Sequence, residues 1–207
     1  MKLIGLTGTY CAGKNYIASL LEARGIPTLD VDKLGHEAIE WRKDAIVARF
    51  GDSTIGADGR VDRKLLGARV FGKPEELAAL EAIVHPEANR LTDEWIAQQA
   101  ALKTAAWCCV INAALLHKSS VFRRLDALIL VKAPLFTRLL RAHKRDRLPW
   151  PTLVRRFWSQ AAFTSQYLAS NADIYGVNNG AYFASRYARA SLERRLDIVF
   201  SFIQGHC

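Results

Sequence analysis

The first fifteen residues leave few folds open to this chain. Lys2 to Thr7, KLIGLT, reads as a short apolar strand, and Gly8-Thr9-Tyr10-Cys11-Ala12-Gly13-Lys14-Asn15 follows at once. A helix-like stretch then runs to Arg24. G-x-x-x-x-G-K between a strand and a helix is the setting of a phosphate-binding loop. Gly8 and Gly13 let successive N–H groups turn toward one anion, and the start of the helix adds its positive dipole end. Lys14 would reach the β- and γ-phosphates. The next position calls for Ser or Thr, whose hydroxyl ligates Mg²⁺, yet Asn15 stands there. Its amide oxygen could still ligate, directly or through water. The alternative is a glycine-containing turn with no ligand.

The chain has 207 residues, half of them hydrophobic, which fits one folded domain and excludes disorder. It holds no run of eighteen apolar residues and no signal-peptide pattern, which argues against a membrane span or secretion. Cys11, Cys108, Cys109 and Cys207 lack zinc-ligand spacing, so a reduced cytoplasmic setting is the simpler reading. The net charge is +9, and residues 123–156 carry ten Lys/Arg against Asp126 and Asp146. Such a patch suits a polyphosphate substrate, or nucleic acid, or is a solvated helix face. Aromatic residues are interleaved with it only at Trp150, Phe157 and Trp158, so nucleic acid stands behind a phosphate-bearing small molecule as partner.

Apolar β-type runs at 2–7, 27–31, 107–113, 127–132 and 173–177 alternate with helical patterns at 14–24, 33–49, 63–71, 75–103, 134–145, 151–169 and 181–204. This predicts an α/β fold with a parallel five-stranded sheet flanked by helices. Pro86 is expected to start a fresh helix within 75–103. Ligands of such sheets sit beyond the carboxyl ends of the strands. The loop, Asp30/Asp32 and the stretches after Val110 and Val177 all fall there. Asp30 and Asp32 could orient a metal or accept a proton from a hydroxyl nucleophile, or Asp32 could cap a helix. His85-Pro86 could bind substrate or cap a helix. The basic, helix-interrupting segment Arg145 to Pro151 suits a lid over phosphates. Cys11, near Lys14 and a helix start, could have a depressed pKa and a modest sensitivity to alkylation that nucleotide blocks, or be an inert small side chain, which is the simpler reading.

Six segments together resemble the dephospho-coenzyme A kinase family, over essentially the full length. They are GLTG (5–8) with AGK (12–14), LDVDKLGHE (29–37), DGRVDRKLLGARVF (58–71), HPE (85–87), RDRLPWPTLVRRFWSQ (145–160) and NADIYGVNNG (171–180). The resemblance implies a P-loop kinase with three parts: a nucleotide core at 1–32, 105–144 and 171–207, a helical CoA-substrate part at 33–104, and a lid at 145–170. It implies phosphorylation of the ribose 3′-hydroxyl of dephospho-CoA, with ATP and Mg²⁺ as cofactors. Carried over by position, Asp32 would be the general base, and Lys14 and Arg145 would act on the phosphates, with Arg156 beside them. Gly8, Cys11, Ala12, Gly13, Lys14, Asn15, Tyr16, Arg145 and Asn178 would bind ATP, Asn178 at the adenine. Asp32, Arg63 and His85 would lie on the substrate side, and Asn15 and Asp32 near the metal.

The chain departs from that pattern at several points. Thr9, Tyr10 and Cys11 replace smaller residues. The strand at 107–113, which in the family ends in Asp followed by Pro-Leu-Leu and an acid, here ends in Asn112, with Ala114 for the Pro and Lys118 for the acid. Both metal-side positions, 15 and 112, are thus Asn, and Asn112 removes a negative charge there. A divergent active kinase, a kinase of another small hydroxyl compound, a nucleotide-binding relative with altered catalysis, and a nucleic-acid-binding ATPase all remain open on the residues alone.

Overall fold

The computed structural model describes residues 1–102, 106–158, 163, 165–167, 170–180 and 186–205, with the side chain of Arg186 excepted. Gln160 and parts of the helices predicted over 151–169 and 181–204 lie outside the described residues. Strands β1 (Lys2–Gly8), β2 (Thr28–Asp30), β3 (Cys108–Asn112), β4 (Ala127–Lys132) and β5 (Asp173–Asn178) alternate with helices. The helices are α1 (Lys14–Glu22), α2 (Val31–Trp41), α3 (Lys43–Phe50), α4 (Arg63–Val70), α5 (Pro74–Ala101), α6 (Leu135–Asp146), α7 (Trp150–Trp158) and α8 (Arg186–Gln204).

The strands form one five-stranded sheet in the order β2-β3-β1-β4-β5, an α/β arrangement with parallel registers from β3 across to β5. β3 is buried throughout, and β1 and β4 are buried apart from end residues. A parallel sheet covered on both faces needs such unbroken apolar runs rather than alternation. The chain leaves β1 for β2 on one side, whereas β3 leads to β4 on the other. The crevice opens between such oppositely departing neighbours. Register pairs Leu6 with Asn112, so the phosphate-loop sequence and the end of β3 emerge there side by side.

By contact the chain divides into two compact units, Met1–Leu29 with Leu102–Cys207, and Asp30–Ala101. The first has a core in which Ile17 and Leu21 of α1 and Leu192, Leu196, Phe200 and Ile203 of α8 cluster with Ile4, Leu6, Ile129 and Val131 of the sheet. The second is helical, built on Ala38, Ile46, Phe50, Leu66, Val70, Val84 and Ala88.

Two helix expectations are corrected in the second unit. The run predicted as one helix over 33–49 is two, α2 and α3, broken where Arg42 leaves helical geometry at φ −104 and ψ 20. Conversely, α5 runs unbroken from Pro74 to Ala101 with Pro86 inside it. Proline in a helix interior costs about 3 kcal/mol and brings no N–H to the ladder. Here Val84, Ala88 and Thr92 are buried along one face on either side of it. That shared packing holds both halves in one helix, which local propensity cannot report.

Candidate nucleotide-binding site

The loop between β1 and α1 is shaped by two residues in left-handed backbone conformation, Cys11 at φ 59 and Gly13 at φ 96, and by a turn from the Ala12 N–H to the Thr9 carbonyl at 2.9 Å. A Cβ on Gly13 would lie 2.2 Å from Asn179 Nδ2, and one on Gly8 would lie 2.9 Å from the Val131 carbonyl oxygen. Glycine is thus demanded by close approach at both positions and by φ as well at 13. α1 begins at Lys14, and Gly13 supplies no side-chain cap. The first N–H groups of a helix have no intrahelical acceptor and suit an anion.

The loop carbonyls are held from behind. Arg138 Nε donates to the Tyr10 carbonyl at 2.8 Å. Arg141 donates to the carbonyls of Cys11 at 3.4 Å and Ala12 at 3.1 Å, and to that of Asn179 at 3.0 Å. Asn179 Nδ2 donates to the Ala12 carbonyl at 2.9 Å. Three consecutive carbonyls are thus held by Arg138, Arg141 and Asn179, and the Ala12 N–H by Thr9, which leaves the N–H groups of Cys11 and Gly13 as the loop's donors for an anion. Burial pulls the Arg138 and Arg141 pKa values down from their usual level, though a guanidinium remains charged.

Arg145 lies over the Tyr10 ring at 5.1 Å and is paired with Asp146, Nε to Oδ1 at 2.7 Å and a second nitrogen to Oδ2 at 3.1 Å. The Tyr10 hydroxyl also donates to Asp146, and Arg156 stands 3.8 Å from the same carboxylate. The Arg145 hydrogen bonds hold Asp146 below the ordinary carboxylate range and in turn raise the guanidinium. Burial, then the Asp146 hydrogen bond, pushes the Tyr10 phenol up. Arg138 also covers the Phe157 ring at 4.7 Å, and that ring meets Tyr10 edge-on. Tyr10 thereby ties α6 and α7 to the loop, which accounts for a bulky residue where the resemblance expects a small one.

Asn112, at the end of β3, is 2% exposed. Its Nδ2 donates to Asn15 Oδ1 at 3.5 Å, while its own Oδ1, buried, has no hydrogen-bond partner among the described residues. A buried carbonyl oxygen left unpaired costs about 1–3 kcal/mol unless a donor or cation meets it. Asn15 and Tyr16 are exposed on the first turn of α1. Asn178 ends β5, exposed, and its carbonyl accepts from Arg195 at 2.6 Å. With Asn179, Gly180, Ser191, Leu192 and Arg195 it lines a cavity of about 170 Å³.

Cys11 follows the inert of its two readings. Burial raises its thiol pKa and outweighs the lowering by Arg145, with Asp146 opposing that arginine. Cys108 and Cys109 are buried free thiols, pushed by burial from 9.0 to about 12 and about 11. In the helical unit the cap of α2 is Asp30, whose Oδ1 accepts from the Lys33 N–H at 3.2 Å, so Asp32 lies within the first turn instead of capping it. His85 lies inside α5, half-buried, and does not cap a helix. Arg63 opens α4, exposed, beside a groove of about 450 Å³ that it shares with His36, Glu37, Trp41 and Arg60.

Sequence reasoning missed Arg138, Arg141, Asp146 and Asn179. A signal existed for the arginines, because 138, 141 and 145 recur at the spacing of one helix face. None existed for Asn179, whose partner is 167 residues away. Among the described residues no group of three or more His, Cys, Asp or Glu side chains could hold a metal ion. Among the same residues no helix is long and apolar enough to cross a membrane.

A family model described as dephospho-CoA kinase matches residues 2–182. A Treponema pallidum protein named dephospho-CoA kinase is 34% identical over 206 residues, 96% of this chain and 94% of its own length. The crystal structure of a Thermus thermophilus protein superposes with a TM-score of 0.77 at 32% identity, covering 97% of this chain and 96% of that one. A dephospho-CoA kinase from Campylobacter jejuni shares the fold, with a TM-score of 0.70 at 20% identity over the whole of both chains.

Proposed function

The chain belongs to the dephospho-CoA kinase family, and on that premise we propose that it moves the γ-phosphoryl group of ATP onto the ribose 3′-hydroxyl of dephospho-CoA, the last step of coenzyme A synthesis. The observation that carries this reading is the loop at Gly8–Lys14, its carbonyls drawn back onto Arg138, Arg141 and Asn179. A kinase of this family uses a nucleotide. Phosphoryl transfer asks the protein for positioning and charge rather than covalent chemistry.

In this reading Gly8, Cys11, Gly13 and Asn15 cradle the phosphates with backbone N–H groups, Ala12 shapes the loop between them through its turn to Thr9, and Lys14 neutralises charge on the β- and γ-phosphates. Tyr16 follows on the same turn. Arg145, steadied by Asp146, and Arg156 face the transferring group from the lid. The cavity beside Asn178 takes the adenine. Asp32 accepts the proton of the 3′-hydroxyl. The bond from that oxygen to the γ-phosphorus then forms as the bond to the β,γ-bridging oxygen breaks, and ADP leaves. Asp30 caps α2 with its carboxylate, while Asp32 lies within the first turn of that helix. Arg63 and His85 serve the dephospho-CoA side.

The oxygen donors of Asn15 and Asn112 fit a hard cation such as Mg²⁺, and the unpaired Oδ1 of Asn112 is a ready acceptor for it or its water. With Asp32 these would be its protein ligands. Bound there with ATP, the cation would neutralise phosphate charge. Free buried Cys108 and Cys109 support a reduced cytoplasmic setting.

The test is ADP release with ATP, Mg²⁺ and dephospho-CoA, with mass spectrometry of the acceptor. A product heavier by one phosphoryl group, lost in Lys14→Ala, is expected. Tight ATP binding with no phosphorylated dephospho-CoA would overturn the assignment.

A further inference from the structure

The two positions proposed above to hold the cation, exposed Asn15 and buried Asn112, are both neutral amides, and they touch. Asn112 Nδ2 reaches Asn15 Oδ1 at 3.5 Å, and Asn112 Oδ1 is left buried without a partner among the described residues. A carboxylate at either place would repel a metal-free triphosphate and would need a cation between them before the nucleotide could settle. An amide pair imposes no such requirement. It can turn a carbonyl oxygen to a hydrated cation or an N–H to a phosphate oxygen, since the group carries both a donor and an acceptor. Around it the loop is backed by the cations Arg138 and Arg141.

We propose that the Asn15–Asn112 pair lets this chain bind ATP with or without Mg²⁺ at nearly equal affinity, so that the cation arrives on the nucleotide rather than being held in advance by the protein. The proposal rests on the reading of the loop as a nucleotide site. It concerns binding, not the rate of transfer. Asp32 is the carboxylate which that reading brings to the reaction, and neither amide position adds another. The pair is thus a specificity determinant: it sets which ionic form of the nucleotide is accepted.

The experiment is equilibrium binding of ATP by calorimetry, without dephospho-CoA, in excess Mg²⁺ and again in excess EDTA. The natural chain is compared with Asn15→Asp and Asn112→Asp. Asn15 is exposed on the first turn of α1, where a carboxylate suits the helix dipole, so its variant keeps the fold even if the buried Asn112→Asp does not. The natural chain should show dissociation constants within about threefold of each other in the two conditions. Asn15→Asp should bind at least about tenfold more weakly in EDTA than in Mg²⁺. A tenfold loss in EDTA for the natural chain would overturn the proposal, as would an Asn15→Asp variant indifferent to EDTA. ATP binding in neither condition would overturn both this inference and the nucleotide reading. Equal binding in both conditions, with no product in the ADP-release assay, would leave the inference standing and sink the kinase assignment alone.

Discussion

Asn179 donates its side-chain amide to the carbonyl of Ala12 at 2.9 Å, across 167 residues of chain, and so pins the phosphate loop to the end of β5. The same nitrogen leaves no room for a side chain at residue 13, where a Cβ would come to 2.2 Å from it.

Gly13→Ala therefore suffers a collision and a left-handed φ of 96 together. It should destabilise the chain by about 1–3 kcal/mol and weaken ATP binding. Asn179→Ala should cost about 1 kcal/mol, because Arg141 still donates to the Ala12 carbonyl. Combined, the two should lose less than their sum, since removing the amide removes the collision while the φ strain stays. Denaturant melts of all four proteins in the cycle check this, and strict additivity would show that the clash is relieved by other means.

Asp146 holds both Arg145 and the Tyr10 hydroxyl. Asp146→Asn should raise the KM for ATP more than it lowers stability, which should fall by about 1 kcal/mol for a partly exposed pair. The sign with pH follows from the depressed carboxylate. Its stabilisation is present above the unfolded value near 3.8 and is lost as pH falls through the lower folded value. Acid melts should show a shallower loss for the Asn variant below about pH 4.

Asp32→Asn should lower kcat by about 10²–10⁴ while leaving ATP affinity unchanged, because a base acts in the transition state. Steady-state kinetics beside ATP titration separates the two. Survival of kcat within about tenfold would remove Asp32 from that role.

Burial raises the Cys11 thiol, so alkylation by iodoacetamide near neutral pH should be slower than for a free thiol, should accelerate as pH rises, and should be slowed further by ATP. Cys108 and Cys109 should label only on unfolding. Their folded pKa values of about 12 and about 11 lie above 9.0, so the unfolded chain releases those protons first. Stability is then intact below pH 9.0 and declines as pH rises through about 11 to about 12. Cys108→Ala should flatten that decline in melts taken against pH.

The centre of the sheet was legible because β1, β3 and β4 are near-continuous apolar runs, which a doubly covered sheet imposes locally on the sequence. Strand ends fell within a residue or so of the structure. The helical segment was legible only as helical. The break at Arg42 and the continuity through Pro86 depend on which faces meet a core, as at Val84 and Ala88, and neither is a local property.

By itself the sequence determined the phosphate loop, because glycine spacing, a lysine and the flanking strand and helix are all local constraints on backbone geometry. It also determined that amides stand at Asn15 and Asn112, the first in place of a hydroxyl and the second of a carboxylate. Only the tertiary structure decided that those two side chains meet, that Arg138, Arg141 and Asn179 hold the loop carbonyls, and that Asp146 steadies Arg145 against Tyr10. It alone also decided between the two readings of Cys11. Proximity in sequence suggested a cationic helix start, whereas desolvation, a property of everything packed around the thiol, outweighs it. Hydrogen bonds and desolvation act over a few ångströms in space, and the chain segments that supply them are brought that close only by the folded sheet.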